Sequence, residues 1–367
     1  MGSSTSTSTL VRWAWLTGLL VLPLVVLTVI VVLVDDISFV QRGSTALILM
    51  IIVIGLHVFS GNSGVISFAS VAFAMIAAYT SALLTIPIEQ KPSLFPDMPF
   101  FLDWIVGVSL PVPVGIVVAV LFTGLIAFIV GIPLVRLSGL AAGIGTLAFL
   151  VVVLVIVTKW KAVTRGESTM VGVPKETTIW WALIGVTIAI AVAAIYQLTR
   201  RGRRLIATRE DDKAAMAIGI SVPIERLWGW VAGCSIAGLG GALYGHYIAT
   251  FSAQTFGLAL TFFTVAMLVI GGLGSLTGAV VGVLVVQILS EFLRTIETEG
   301  LGPIPMIEAP GLTEMVLALI LLVVLIARPE GITGGREITS WLARFRRKAG
   351  EPDAGAQAEV KAGAQVP

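Results

Sequence analysis

Long apolar runs alternate with short polar connectors along nearly the whole chain. A helix rising about 1.5 Å per residue needs about 17 to 25 apolar residues to cross a hydrocarbon layer of roughly 30 Å. Ten runs approach or meet that length: 13–34, 44–60, 65–86, 106–132, 139–158, 179–198, 226–249, 258–273, 276–293 and 312–327. The pattern predicts an all-α fold, a polytopic membrane protein of about ten transmembrane helices. Glycines near 61–64 and 271–274 predict two helices that break inside the membrane, which is tolerable only where protein or a wet cavity satisfies the freed backbone. The span count is therefore expected between nine and eleven. Composition agrees: 57% of the 367 residues are hydrophobic, 12% are charged, and mean hydropathy is +1.02, outside the range of soluble domains. The first run reads as a retained anchor, being too long for a signal peptide and lacking a small-residue cleavage site before Asp35 and Asp36.

The placement of charge matters more than its net value of +2, because Lys and Arg near span ends stay cytoplasmic. With the amino terminus inside, Arg12, Arg136, Arg200, Arg201, Arg203, Arg204 and Arg209 fall on one side. The carboxy-terminal Arg328, Arg336, Arg344, Arg346, Arg347 and Lys348 fall there too. Lys159, Lys161 and Arg165 are the exception, in a loop that also carries Glu167 and Glu176. Segments 87–104, 159–178, 250–257 and 294–311 are then external, too short for a folded domain but suited to receive a solute-binding protein. The expected organisation is a disordered tail (1–12), one membrane domain (13–334) and a coupling loop near 200–225 within it. A basic amphipathic cytoplasmic segment (335–348), lying on anionic lipid, and a disordered tail (349–367) follow.

Residues 200–213, RRGRRLIATREDDK, hold nine charges between nearly uncharged runs. Thr208 with Asp211 three residues later resembles a capping box, the acids suit a helix amino terminus, and Gly219 stops the helix before Pro223. These signals predict one helix over about 209–218, carrying Glu210 and Asp211. Its apolar face would be Ala214, Ala215 and Ile218. From the residues alone such a helix either docks another protein or rests on lipid headgroups.

EDDKAAMAIG resembles the EAA loop of ABC importer permeases, with Ala214, Ala215 and Gly219 matching its core and Lys213 standing where that loop usually has Glu. GNSGVISFASVAFAMIAAYTSALL, RLSGLAAGIGTLAF, GLGGALYGHYIATFSAQTFG, VIGGLGSLTGAVVG and RPEGITG, in that order, resemble segments of LivM-type permeases of branched-chain amino acid ABC importers. The resemblance implies a non-enzymatic permease subunit without cofactor, in the bacterial inner membrane, both termini cytoplasmic. Its partners would be a second homologous permease, two cytoplasmic ATPases, an extracytoplasmic binding protein and membrane lipid, with no nucleic acid. The loop would then be the coupling helix seated on an ATPase. Leucine, isoleucine and valine are the implied solutes, with urea and amides as the alternative within the group.

The chain lacks an intramembrane carboxylate relay, so proton coupling is disfavoured; a sodium-driven carrier acting alone stays open, because carbonyls of unwound helices can hold that ion, as does a scaffold that moves nothing. GGLGSLTG lacks the Gly-Lys-Ser/Thr of a phosphate loop. Asn62, Ser63, Ser67 and Ser70 are the candidate translocation path, the serines falling on one helix face, or else bonding backbone. Gly139, Gly143, Gly241, Gly245, Gly274, Gly278 and Gly282 are candidate helix-packing positions. His57, His246 and the single Cys234 read as packing residues, with neither a metal site nor a hydrolase constellation.

Overall fold

The computed structural model describes residues 4–34, 36–298, 312–328, 330–335 and 337. The first half comprises α1 (Ser4–Leu33), α2 (Ile37–Leu56), α3 (Ser70–Thr85), α4 (Lys91–Leu94), α5 (Val112–Leu134), α6 (Gly139–Lys159) and α7 (Lys161–Thr164). The second comprises α8 (Ile179–Leu198), α9 (Arg200–Glu210), α10 (Asp212–Ala217), α11 (Val222–Ile248), α12 (Leu258–Gly271), α13 (Leu276–Thr298) and α14 (Leu312–Ala327). A π turn, His57–Gly61, continues α2. Among the described residues the only β pairing is an isolated bridge between Met170 and Phe251. Helix propensity does not produce this result: α5 reads VPVGIVVAVLFTGLIAFIVGIPL, rich in β-branched residues that disfavour helix in water. In lipid a helix satisfies every backbone group within its own segment, and that requirement prevails.

Each of the ten apolar runs contains a helix, and among the described residues seven helices are long and apolar enough to cross a membrane. Thr17–Leu33 and Ser70–Thr85 are apolar but shorter. Three boundaries differ from expectation. α1 begins at Ser4, inside the stretch expected to lack structure, because the apolar run propagates a helix already nucleated. α2 starts earlier than the run at 44, with the Asp36 carboxylate accepting from the Ser38 amide. The run 65–86 is not one helix: residues 64–69 are non-helical and α3 starts at Ser70. The segment 338–367, and with it most of the basic carboxy-terminal stretch, lies outside the described residues.

α11 is the central beam, packing on α2, α3 and α5. Apolar burial supplies little drive between helices in lipid, so close approach through small residues decides the contact. Gly55 of α2 lies against Gly233 and Ala237 of α11, and Gly241 lies on the backbone of Ala74 in α3. Trp230 fills the gap beside them, edge-on to Phe59 and Phe73 at 5.1 and 5.6 Å, its indole N–H donating to the Ala127 carbonyl at 3.0 Å. The most apolar stretch of α2 is 83% buried and that of α6 only 28%, so α6 lies at the periphery.

The beam also fixes the two ends of the bundle. α10 leads directly into the start of α11, so residues 57–64, 199–221 and 270–277 gather at one end. The start of α2 and the finish of α11 and α13 lie at the opposite end. There a loop is tied by Lys91, 1% exposed, whose ammonium donates to the Ile105 carbonyl at 2.9 Å and to that of Val108. Burial lowers its pKa from 10.5 to about 8.

Two measurements test these contacts. Gly241→Ala drives a methyl into the Ala74 backbone and should cost about 1–3 kcal/mol in thermal unfolding of the solubilised protein. Gly18→Ala, with open space around it, should cost nothing. For Lys91, the neutral amine keeps two N–H groups, enough for both carbonyls, and sheds the cost of a buried charge. Between about pH 8 and 10.5 the unfolded chain binds more protons than the folded one, so stability rises with pH there. Wild type should gain on Lys91→Met in thermal midpoint across that window.

Candidate functional site

The charged loop folds as an elbow of two short helices, not as one helix over 209–218. The Thr199 hydroxyl caps α9 by accepting from the Gly202 amide at 3.1 Å. Asp211 breaks the path with extended backbone (φ −157°, ψ 112°) and caps α10, its carboxylate accepting from the amides of Lys213 and Ala214 at 2.8 and 3.1 Å. Thr208 is no cap: it lies within α9, its hydroxyl donating to the Leu205 carbonyl. α10 ends as a Schellman turn, with the Gly219 amide on the Met216 carbonyl and the Ile220 amide on that of Ala215. Gly219 supplies the required positive φ, +84°.

Two ion pairs hold the elbow to the start of α11. Arg226 grips both oxygens of Asp212 at 3.0 and 2.8 Å, and Arg204 reaches Glu225 at 3.2 Å. Arg226 and Glu225 are themselves buried, so one pair fixes α10 and the other α9 against the beam. The expected apolar face is corrected by this docking. Ala215 points inward and is buried, while Ala214, Met216 and Ile218 are exposed, Ile218 to 76%. Glu210 and Asp211 are exposed at the bend.

Arg209 projects from the elbow into the place where two broken helices meet. Its guanidinium donates to the Gly61 carbonyl at 2.7 Å, its stem lies along Gly64, and its terminal nitrogens lie beside Gly274. Gly64 (φ +73°) and Gly272 (φ +117°) take backbone conformations that suit glycine at the two breaks. His57 links them: its Nδ1–H donates to the Leu273 carbonyl at 3.1 Å while Nε2 accepts from the Gln197 amide at 3.0 Å, the neutral tautomer. Gln197 also reaches the Asn62 side-chain oxygen at 3.5 Å.

The expected polar face is replaced by local bonding. Ser63, Ser67 and Ser70 do not share a helix face, because the helix is broken between them. All three are buried, as is Asn62. The Ser63 and Ser67 hydroxyls accept from the Val65 and Ala69 amides, Ser60 accepts from Ser67, and Thr146 of α6 accepts from Phe68. Asn62 donates to the Val58 carbonyl. These side chains satisfy the backbone of the break.

Residues 330–335 and Glu337 close the second break. The Ile332 and Thr333 amides donate to the Ile270 and Gly271 carbonyls at 2.8 and 3.2 Å. The Glu337 carboxylate accepts from the Leu276 and Thr277 amides at 2.7 and 3.2 Å and from the Thr277 hydroxyl at 2.8 Å, capping α13.

The candidate packing glycines divide. Gly278 and Gly282 seat α13 against the α12 backbone at Gly271 and Met267. Gly241 lies on α3, Gly245 touches Ala78 and Phe251, and Gly143 meets the Phe68 ring. Gly139 opens α6 at φ +55° with nothing near it, and Gly274 sits in the second break, so neither lies on a packed helix face. His246 bridges the Ser81 hydroxyl at 2.8 Å and the Pro174 carbonyl at 3.0 Å, and Cys234 is buried. No group of three metal-ligating side chains occurs among the described residues. Gln197 and the Glu225–Arg226 pair escaped sequence reading, and Arg209 was read only for its charge; an adjacent acid and base at the mouth of an apolar run was the available signal.

A helical bundle with two discontinuous helices meeting beside a charged elbow is an arrangement that membrane transporters use. The chain belongs to the family described as branched-chain amino acid transport system / permease component, whose profile matches residues 40–325. It is 24% identical over 289 residues to the high-affinity branched-chain amino acid transport system permease protein LivM of Escherichia coli (strain K12), covering 70% of this chain and 63% of that protein. It is 28% identical over 246 residues to the probable branched-chain amino acid transport permease protein LivM of Methanocaldococcus jannaschii, covering 62% and 69%. No solved structure matches the chain.

Asp212→Ala should loosen the elbow by about 2 kcal/mol, less than for a fully buried pair because Asp212 is partly exposed. The expected readout is faster trypsin cleavage at Arg209 and Lys213 in membranes, with the chain still inserted.

Proposed function

We propose that the chain is the permease subunit of an ABC importer for branched-chain amino acids in the bacterial inner membrane. It pairs with a homologous permease, docks two cytoplasmic ATPases through the α9–α10 elbow, and receives solute from an extracytoplasmic binding protein. ATP hydrolysis belongs to the partner subunits. The observation that carries this reading is the elbow itself. An exposed apolar tip, Met216 and Ile218, stands on a mount fixed to α11 by ion pairs and tied through Arg209 to the first break and to the edge of the second. A force applied at that tip reaches the discontinuous helices directly.

Orientation follows from charge. By the positive-inside rule the elbow's arginines support a cytoplasmic position for that end of the bundle. The exceptional bases at 159–165 are offset in part, since Lys159 pairs with Glu167 at 3.0 Å and holds that carboxyl below its ordinary pKa. A sodium carrier acting alone is not favoured, because the relatives are permease proteins of transport systems.

Ile218→Asp places a charge on the exposed tip without disturbing the elbow's own packing. In cells carrying the complete system it should abolish leucine uptake while the chain reaches the membrane in normal amount; wild-type uptake would overturn the docking role. Ala215→Glu is the wrong probe, since it buries a carboxylate and should unfold the elbow.

A further inference from the structure

Where the apolar α8 ends, the chain turns through Thr199 straight into RRGRR, the start of α9. α9 packs across the first turns of α11: Leu205 lies on Gly229, Arg204 reaches Glu225 at 3.2 Å, and the Arg201 guanidinium lies 4.2 Å from the centre of the Trp228 ring. Gly202 and Leu205 are buried, while Arg200, Arg201 and Arg203 are exposed on the remaining arc of the helix. Among the described residues no carboxylate pairs with any of these three. The contact of Arg201 with the ring face consumes none of its N–H donors.

The indole leads on towards hydrocarbon. Trp228 is 39% exposed, and its ring centre lies 6.4 Å from that of Phe128 on α5. Phe128 stands about 9 Å inside the end of α5 at 1.5 Å per residue, on a face that also exposes Leu121, Leu125 and Ile132. That face is apolar along a helix long enough to cross the bilayer, and Trp is at home at the boundary between tails and headgroups. Cation, amphipathic ring and apolar face thus follow one another in the order of a phospholipid read from phosphate to acyl chain.

We infer that this surface binds one anionic phospholipid of the leaflet on the elbow's side. Its phosphate sits against Arg201, with Arg200 and Arg203 beside it, and a chain lies over Trp228 and Phe128. A zwitterionic headgroup brings its own ammonium and leaves the arginines uncompensated. Free phosphate and an acidic protein surface make no use of the apolar track. The exposed tip at Met216 and Ile218 lies beyond the Asp211 bend, so lipid on α9 leaves it open to a protein partner. Bound there, the lipid steadies the elbow from the membrane side, because Arg204 ties α9 to α11. The site does not depend on the permease reading.

The test is native mass spectrometry of the purified full chain in neutral detergent, titrated with phosphatidylglycerol or phosphatidylcholine, with inorganic phosphate as competitor. One phosphatidylglycerol should be retained where phosphatidylcholine is not, and excess phosphate should not displace it. Arg201→Gln/Arg203→Gln should weaken retention about tenfold or more, and Arg201→Lys/Arg203→Lys should keep most of it. Arg328→Gln removes an exposed charge just after α14 and should change nothing. Equal retention of both lipids, displacement by phosphate, or an equal loss in Arg328→Gln overturns the inference, the last marking diffuse attraction. Wild-type lipid retention by the double Gln variant overturns it too; if that variant also fails to capture the ATPase subunits from cells carrying the complete system, the arginines serve a protein partner instead.

Discussion

A backbone amide or carbonyl surrounded by lipid has no water to turn to, so every interruption of a membrane helix must be answered by another part of the protein. This chain interrupts two helices at the same end of the bundle, and the answers are individually visible. At the first break, hydroxyls of Ser60, Ser63, Ser67 and Thr146 take the freed amides, and Arg209 takes the Gly61 carbonyl. At the second, His57 takes the Leu273 carbonyl, the 330–335 turn takes those of Ile270 and Gly271, and Glu337 takes the first amides of α13. The breaks therefore share fasteners: His57 belongs to the first helix and bonds the second, while Arg209 belongs to the elbow and touches both.

Shared fasteners turn a local requirement into a mechanical one. Because α11 carries Glu225 and Arg226 at its start and packs on α2, α3 and α5 further along, the elbow cannot shift without loading the beam or breaking its ion pairs. Each pair joins one buried partner to one that is more than a third exposed, so it contributes little net stability, and its effect here is to hold the elbow in one position on the beam. The proposed coupling role asks no flexible relay of the intervening residues, only that Arg209 and the α11 ion pairs move with α10.

How far the sequence exposes all this depends on the range of the interaction. Span positions were legible, since lipid solvation acts on each run independently, and so were the breaks, because glycine clusters inside apolar runs have few other uses. The end of α10 at Gly219 was legible for the same local reason. The bend at Asp211 was half legible: the acid was recognised as a capping group, yet its place was misassigned, because Thr208 and Asp211 compete for the same role and tertiary pairing of Asp212 with Arg226 settles it. The serine spacing misled because periodicity assumes a continuous helix, and the neighbouring glycines had already argued against one. Inward Ala215 and the reach of Arg209 were not legible, since both depend on partners distant in sequence, α11 in one case and Gly61 in the other.

The two ends of the bundle are joined by the same pair of helices. α2 begins beside a polar cavity with Arg42 and finishes in the π turn that carries His57; α13 begins under the Glu337 cap and finishes beside the cavity with Glu291 and Arg294. A π turn widens the helix and leaves its hydrogen-bond ladder locally weaker, a feature often found at functional sites. Placed where α2 meets the fasteners of both breaks, it is where α2 most easily changes pitch. The two helices therefore tie the polar end of the bundle to the fasteners of both breaks.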